Sequence, residues 1–228
     1  MNFLRNSRLL MRVKYLKTND ESALISESQR MTGLLMSRIL DDMGEASARA
    51  QGLNKPITSA LKLRDTDHVV YLLVDNEANK LVDVVGLLKT GSKNLFMFDD
   101  TGAHYQLQPR CILDFYVHES RQRMGLGNIL YQYMLSEENI MPVKLAIDRP
   151  SEKFLAFLHK YYGLSKMIPQ NNKFVVFQGF FDDGKSSLCN AIYTLYISLK
   201  GLSIDIIKLK NPLKQGNYNS TPNSIFTR

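Results

Sequence analysis

The sequence predicts an α/β (α+β) domain built around one sheet, and three observations carry that prediction. Short runs rich in β-branched and aromatic residues recur between turn signals, at residues 68–74, 81–88, 95–98 and 111–117. The second half then alternates strand and helix in the order β-α-β-α-β, with no internal repeat. Finally, 228 residues with an apolar fraction of 44% suffice for one domain with tails and a real core, and are too apolar for a wholly disordered chain.

From the N-terminus, residues 1–17 carry Arg5, Arg8, Arg12, Lys14 and Lys17 and no acid, with Phe3, Leu4, Leu9, Leu10, Val13 and Leu16 between them. This pattern suits a mitochondrial presequence or a membrane-surface helix, and equally an extension or a first strand. A helix follows over 21–53, with Leu34, Leu35, Ile39, Leu40 and Met43 at helical spacing and Pro56 beyond its end. Residues 68–74 and 81–88 are strands joined through a turn at 75–79, and 95–98 is a third strand. After strand 111–117, Ile129, Leu130, Tyr133, Met134 and Leu135 mark a helix. A short strand at 143–147 precedes a second amphipathic helix carrying Phe154, Leu155, Leu158, Tyr161 and Tyr162, with Gly163 as its stop. A last strand opens at Phe174 and reaches Phe181. The organisation predicted is a basic extension at 1–20, a folded domain at 21–183 and an atypical C-terminal tail at 184–228.

Two cysteines, Cys111 and Cys189, exclude a disulfide scaffold and a Cys-rich zinc site. The four histidines have no paired spacing, so no metal site is expected. No run of 18 apolar residues occurs, so no membrane-spanning helix is expected. The net charge of +7 would suggest a polyanion partner, yet it sits at the ends. Residues 18–184 carry a net −3, and nucleic acid is not an expected partner.

Gln122-Arg-Met-Gly-Leu-Gly127 follows a strand and opens a helix. A helix start offers unpaired N–H groups and the positive dipole end to a pyrophosphate. Arg121 and Arg123 add forked donors beside it. Lys153 and Lys160 lie two turns apart on one helix face, which is also what a solvated face looks like. Taken alone, Asp148 reads as a cap or turn residue and Cys111 as a small buried hydrophobe.

The strand, Gln-x-x-Gly-x-Gly and helix resemble the acetyl-CoA-binding motif of the GCN5-related N-acetyltransferase (GNAT) superfamily. The string from Ile112 to Ser120, Asp148-Arg-Pro-Ser151, Lys153-Phe-Leu155, Gly179-Phe-Phe181 and, upstream, Ile39-Leu-Asp-Asp-Met-Gly44, Ala46-Ser47 with Gln51, and Pro56-Ile-Thr-Ser59 resemble one branch of it, the alpha-tubulin N-acetyltransferases. The likeness covers roughly residues 35–183.

The resemblance implies a mixed, twisted sheet flanked by helices, and acetyl transfer from acetyl-CoA to a lysine ε-amine of alpha-tubulin in the microtubule lumen. It implies a place in the cytoplasm, on the microtubule cytoskeleton. It offers Asp148 and Cys111 as catalytic bases and Gln51 as a residue needed for activity. It assigns the co-substrate to two segments. One is Phe115, Tyr116 and Val117, then His118, Glu119, Ser120, Arg121, Gln122, Arg123 and Met124, then Gly125, Leu126, Gly127 and Asn128. The other is Ser151, Glu152, Lys153, Phe154, Leu155, Ala156, Phe157, Leu158, His159 and Lys160. Arg121, Arg123, Lys153 and Lys160 are the cations expected to meet the phosphates of CoA.

A rival motif overlaps the end of this stretch. Residues 179–186 fit a Walker A pattern, which would suit a P-loop nucleotidase. Asp182 and Asp183 would repel phosphate inside such a loop, and 42 residues after Ser186 are too few for the rest of that domain. The tail beyond Gly184, with Ile192, Leu195, Tyr196 and Leu199, departs from the family pattern, and residues 1–33 lack a clear match.

Overall fold

Strand β2 (Val69–Asn76) alternates its side chains between two buried faces. Val69, Tyr71 and Leu73 join one apolar cluster, while Val70 and Leu72 join another. The period of two therefore builds a sheet covered on both sides. The computed structural model describes residues 7–14, 27–76 and 83–182. Among them a seven-stranded mixed sheet runs in the order β1-β2-β3-β6-β7-β9-β8. Its other members are β1 (Ser7–Val13), β3 (Asp83–Ser92), β6 (Arg110–Val117), β7 (Ala146–Asp148), β8 (Met167–Ile168) and β9 (Phe174–Phe177). All pairings are antiparallel except β6 with β7, which is parallel. A separate hairpin joins β4 (Leu95–Phe98) and β5 (His104–Leu107). The mixed sheet with flanking helices matches the expected fold class.

On one face lie α3 (Leu126–Glu138) and α4 (Glu152–Tyr162), whose Leu126, Leu130, Met134 and Leu158 pack on Leu88 and Ile112. On the other lie α1 (Glu27–Ala50) and the short α2 (Ala60–Arg64). In α1 the buried side chains include Leu40, Met43, Ser47 and Ala48, in its C-terminal half, while Leu34 and Leu35 face solvent. Gly44 permits that packing, because a Cβ there would lie 1.9 Å from the Thr58 carbonyl oxygen. Asp41 adds a tie by accepting from the Ala60 amide at 2.8 Å.

A bulge in β6 sets up the site. Lys89 faces Asp114 and Thr90 faces Ile112, so Leu113 is the extra residue. A bulge of this kind turns two neighbouring side chains toward one face. Ile112 and Phe115 pack with α3 and α4, whereas Asp114 and Tyr116 turn to the α1 side.

Several sequence expectations change here. Of the readings open for the N-terminus, residues 7–13 form a strand paired with β2 from Ser7↔Asn76 to Val13↔Val70. The strand expected at 143–147 is a 3₁₀ turn at Pro142–Lys144 followed by the three-residue β7, because Pro142 starts the turn. The last strand ends at Phe177 rather than Phe181. There the chain turns so that the carbonyls of Gly179 and Phe180 accept from Lys144 Nζ at 3.0 and 2.8 Å. Carbonyls gathered on an ammonium are the opposite of the N–H cradle a phosphate needs. Gly163 caps α4 as expected, at φ 68°. The turn at 77–79, the helix turn at 21–26, residues 183–186 and the whole 184–228 tail lie outside the described residues.

Candidate active site

Strand β6 pairs with β3 along its whole length, from Gly86↔Val117 to Ser92↔Arg110. On its other edge only Cys111 and Ile112 pair, with Ala146 and Ile147 of β7. Beyond that point the two parallel strands part. Gln122 Nε2 donates to the Val117 carbonyl at 2.8 Å, at the far end of the free edge. A cavity of about 900 Å³ lies where the strands separate. Gln51, at the end of α1, reaches it, as do Asp114 and Phe115 of β6 and Ile147 and Asp148 of β7. Ser151, Glu152, Lys153 and Phe154, at the start of α4, close one side.

Asp148 sits at the last position of β7, paired with Phe174 of β9. Its carboxylate is about one-fifth exposed, and Oδ1 lies 3.2 Å from Arg149 Nε. Arg149 has φ 42°, a conformation uncommon for a residue with a Cβ, and its amide donates to the Lys173 carbonyl at 3.0 Å. The Asp148↔Phe174 pairing and the Arg149 amide bond together fix this turn directly after Asp148.

Gln51 is held from below. Its Nε2 donates to Ser47 Oγ at 2.8 Å and to Asp114 Oδ1 at 3.1 Å. Ser47 Oγ itself donates to Asp114 Oδ1 at 2.8 Å, and Thr58 Oγ1 donates to Oδ2 at 2.6 Å. Asp114 is 4% exposed, as is Lys89 across the bulge. Lys89 Nζ donates to the Ile57 carbonyl at 2.7 Å. Burial lowers the Lys89 pKa to about 8, against the opposing pull of Asp114.

Cys111 does not line the cavity. It is fully buried, and its thiol donates to the Pro109 carbonyl at 3.4 Å. Burial pushes its pKa up to about 12, and the negative charge of Asp148 pushes the same way.

The two segments expected to hold the co-substrate meet at an aromatic cluster. The Phe115 ring lies 4.9 Å from Phe154 and 5.4 Å from Phe157. Gly127 backs onto it, and Asn128 Oδ1 accepts from Tyr162 OH at 2.9 Å, tying α3 to α4. Helix α3 opens at Gly125, at φ 78°, with no side chain capping it. Arg123 and Lys153 are exposed near these helix starts, and Lys160 lies over the Tyr161 ring at 5.2 Å. Arg121 differs from the other three cations: its Nε sits 3.8 Å from the buried Asp75 carboxylate, so the pair ties the turn to β2. Tyr116 turns away from the cavity and donates to Glu119 Oε2 at 3.0 Å. His118 and Ser120 bond each other in the 3₁₀ turn Glu119–Arg121. Ser151 caps α4 by accepting from the Phe154 amide at 3.3 Å. Leu126 and Leu158 are core residues and Met124 is exposed.

Sequence reasoning gave no role in the site to Ser47, Thr58 or Asp114, which it met only inside family-like strings, and did not single out Lys89. The available signal was a charged residue inside an apolar strand, once in 111–117 and once beside Leu87 and Leu88.

The family model described as "GNAT acetyltransferase, Mec-17" matches residues 6–192. An alpha-tubulin N-acetyltransferase from Anopheles gambiae is 49% identical over 188 residues, covering 79% of this chain and 38% of that protein. Alpha-tubulin N-acetyltransferase 1 of Drosophila melanogaster is 54% identical over 153 residues, covering 66% of this chain and 33% of its own length. The alpha-tubulin N-acetyltransferase of Aedes aegypti is 54% identical over 147 residues, covering 64% and 53%. This chain thus spans between a third and about half of the length of these relatives. With a matched region that runs from β1 past β9, the chain belongs to the Mec-17 family of GNAT acetyltransferases.

Proposed function

We propose that this chain transfers acetyl from acetyl-CoA to a lysine ε-amine of alpha-tubulin in microtubules. The observation that carries the reading is the convergence of Gln51 and Asp148 on one cavity at the parting of β6 and β7. The names of the relatives support the acceptor. That acceptor implies a cytoplasmic place on microtubules.

Membership of a GNAT acetyltransferase family implies acetyl-CoA as donor. The residues present fit it. The open β6 edge offers backbone groups to an extended pantetheine arm, much as an added strand would be bound. The uncapped start of α3 and the exposed Arg123, Lys153 and Lys160 suit its phosphates. Arg121, engaged with Asp75, shapes the turn that presents them. When bound, acetyl-CoA supplies an acyl group activated as a thioester.

The chain's own task is to deliver a neutral amine. A free lysine, pKa about 10.4, costs about 4–5 kcal/mol to deprotonate at pH 7. Asp148 accepts that proton, directly or through water. Arg149 steadies Oδ1, and Oδ2 has no protein partner among the described residues. Cys111 lies behind the site as a neutral thiol, because burial and the Asp148 charge both oppose a thiolate.

The test offers the purified protein acetyl-CoA with microtubules, histones or polyamines and follows acetylated product by mass spectrometry. Tubulin lysine acetylation well above the other acceptors is expected. Preference for histone or polyamine would replace the acceptor, and CoA binding without turnover would remove the enzymatic reading.

A further inference from the structure

The amide of a glutamine can point either its oxygen or its nitrogen at a substrate, and its neighbours decide which. Both neighbours of Gln51 beneath the cavity act as acceptors. Asp114 Oδ1 receives hydrogen bonds from Ser47 Oγ and from Gln51 Nε2. Ser47 has spent its one proton on Asp114, so toward Gln51 its oxygen can only accept. Both hydrogens of Nε2 are thereby used. The carbonyl oxygen Oε1 is the amide atom left over, on a side chain that lines the cavity.

Asp114 is held in turn. Thr58 fixes its second oxygen, the bulge at Leu113 aims it at α1, and buried Lys89 lies opposite it across the strand pair. We infer that Asp114 is a positioning residue, which turns the Gln51 amide so that its carbonyl oxygen receives an N–H of the acceptor amine. The inference rests on the proposed acetyl transfer. It gives Gln51 a defined part: an acceptor that orients the amine's lone pair toward the acyl group by holding one of its hydrogens. It also explains why a carboxylate is buried in a central strand, where a charge is costly unless its donors are all in place.

The experiment has two readouts on the full chain. By NMR, the Gln51 side-chain NH₂ signals, assigned through their loss in Gln51→Ala, are expected downfield and slowly exchanging in the wild type. Asp114→Ala should return them toward the free-glutamine position. In steady-state kinetics, Gln51→Ala and Asp114→Ala should each lower kcat about 10–100-fold, with KM for acetyl-CoA little changed. In the Gln51→Ala background, Asp114→Ala should cost almost nothing further. Asp114→Asn should keep most activity, since Oδ1 still accepts while Nδ2 donates to Thr58 Oγ1. Ser47→Ala is the second variant should Asp114→Ala fail to fold. Its smaller loss should also vanish once Gln51 is alanine.

Unchanged Gln51 amide signals in Asp114→Ala, or an equal loss in both backgrounds, would overturn the inference. If the wild type acetylates no tubulin, the proposed function fails instead, and the NMR readout still decides how the amide is held.

Discussion

The side chains of Gln51 and Asp114, 63 residues apart in sequence, meet in a 3.1 Å hydrogen bond that joins the end of α1 to the bulge of β6. Beneath the cavity, on the side of Ser47 and Thr58, α1 and the sheet fit closely. The helix approaches through Gly44 and Ser47, and the 56–59 loop wedges in through Thr58.

That fit makes Gly44→Ala a sensitive probe. Its Cβ would lie 1.9 Å from a backbone oxygen that cannot move without disturbing Thr58. A stability loss of about 1–3 kcal/mol is expected from overpacking, seen as a lowered Tm. Acetyl transfer should fall as well, because Thr58 supports Asp114. An unchanged Tm with unchanged kcat would show that the contact is not tight.

Cys111 provides a contrasting expectation. With a pKa near 12 it has almost no thiolate at neutral pH. In a Cys189→Ser background, Cys111 should resist alkylation in the native protein and react on unfolding. Cys111→Ala should keep kcat within about tenfold of wild type, the loss coming from a small packing defect. A loss of about 100-fold or more would give the thiol a chemical part in the reaction.

On the far side of the sheet, Glu138 Oε1 accepts from Tyr71 and Thr90 at 2.8 Å each and from Arg110 Nη2 at 2.5 Å. Burial alone would raise its pKa, but these donors outweigh burial and hold it below the ordinary 4.5. A carboxylate with a lowered folded pKa adds stability above about pH 4.5, and loses it as pH falls through the folded value. Glu138→Gln should therefore lower Tm most at pH 7, by removing the charge opposite the half-buried Arg110. The gap to wild type should narrow below about pH 4.5. A pH-independent gap would mean the hydrogen bonds, not the charge, matter.

The sequence made some of this molecule legible and hid the rest for physical reasons. Strands β2 and β3 were readable because both faces are buried, which yields long apolar runs. Helix α4 was readable from its apolar spacing and from Gly163. Phe180 and Phe181 look like strand residues, but Lys144, 35 residues before Gly179 and 36 before Phe180, draws the carbonyls of that segment into a turn. The placement of Asp148 at a strand end was local and could be foreseen. The pairing of Gln51 with Asp114 was not, since it depends on one extra residue in β6 that slips the alternation. Likewise Arg121 read as a free cation until the fold brought the end of β2, with Asp75, beside it.

The central claim is that Asp148 serves as proton acceptor in acetyl transfer to tubulin. The most direct measurement compares wild type and Asp148→Asn on microtubules with saturating acetyl-CoA, following acetyl-lysine by mass spectrometry, with acetyl-CoA affinity measured in parallel. Wild type should acetylate a tubulin lysine, and Asp148→Asn should do so about 100-fold more slowly with affinity for acetyl-CoA unchanged. An inactive wild type, or an Asp148→Asn variant as fast as wild type, would contradict the account.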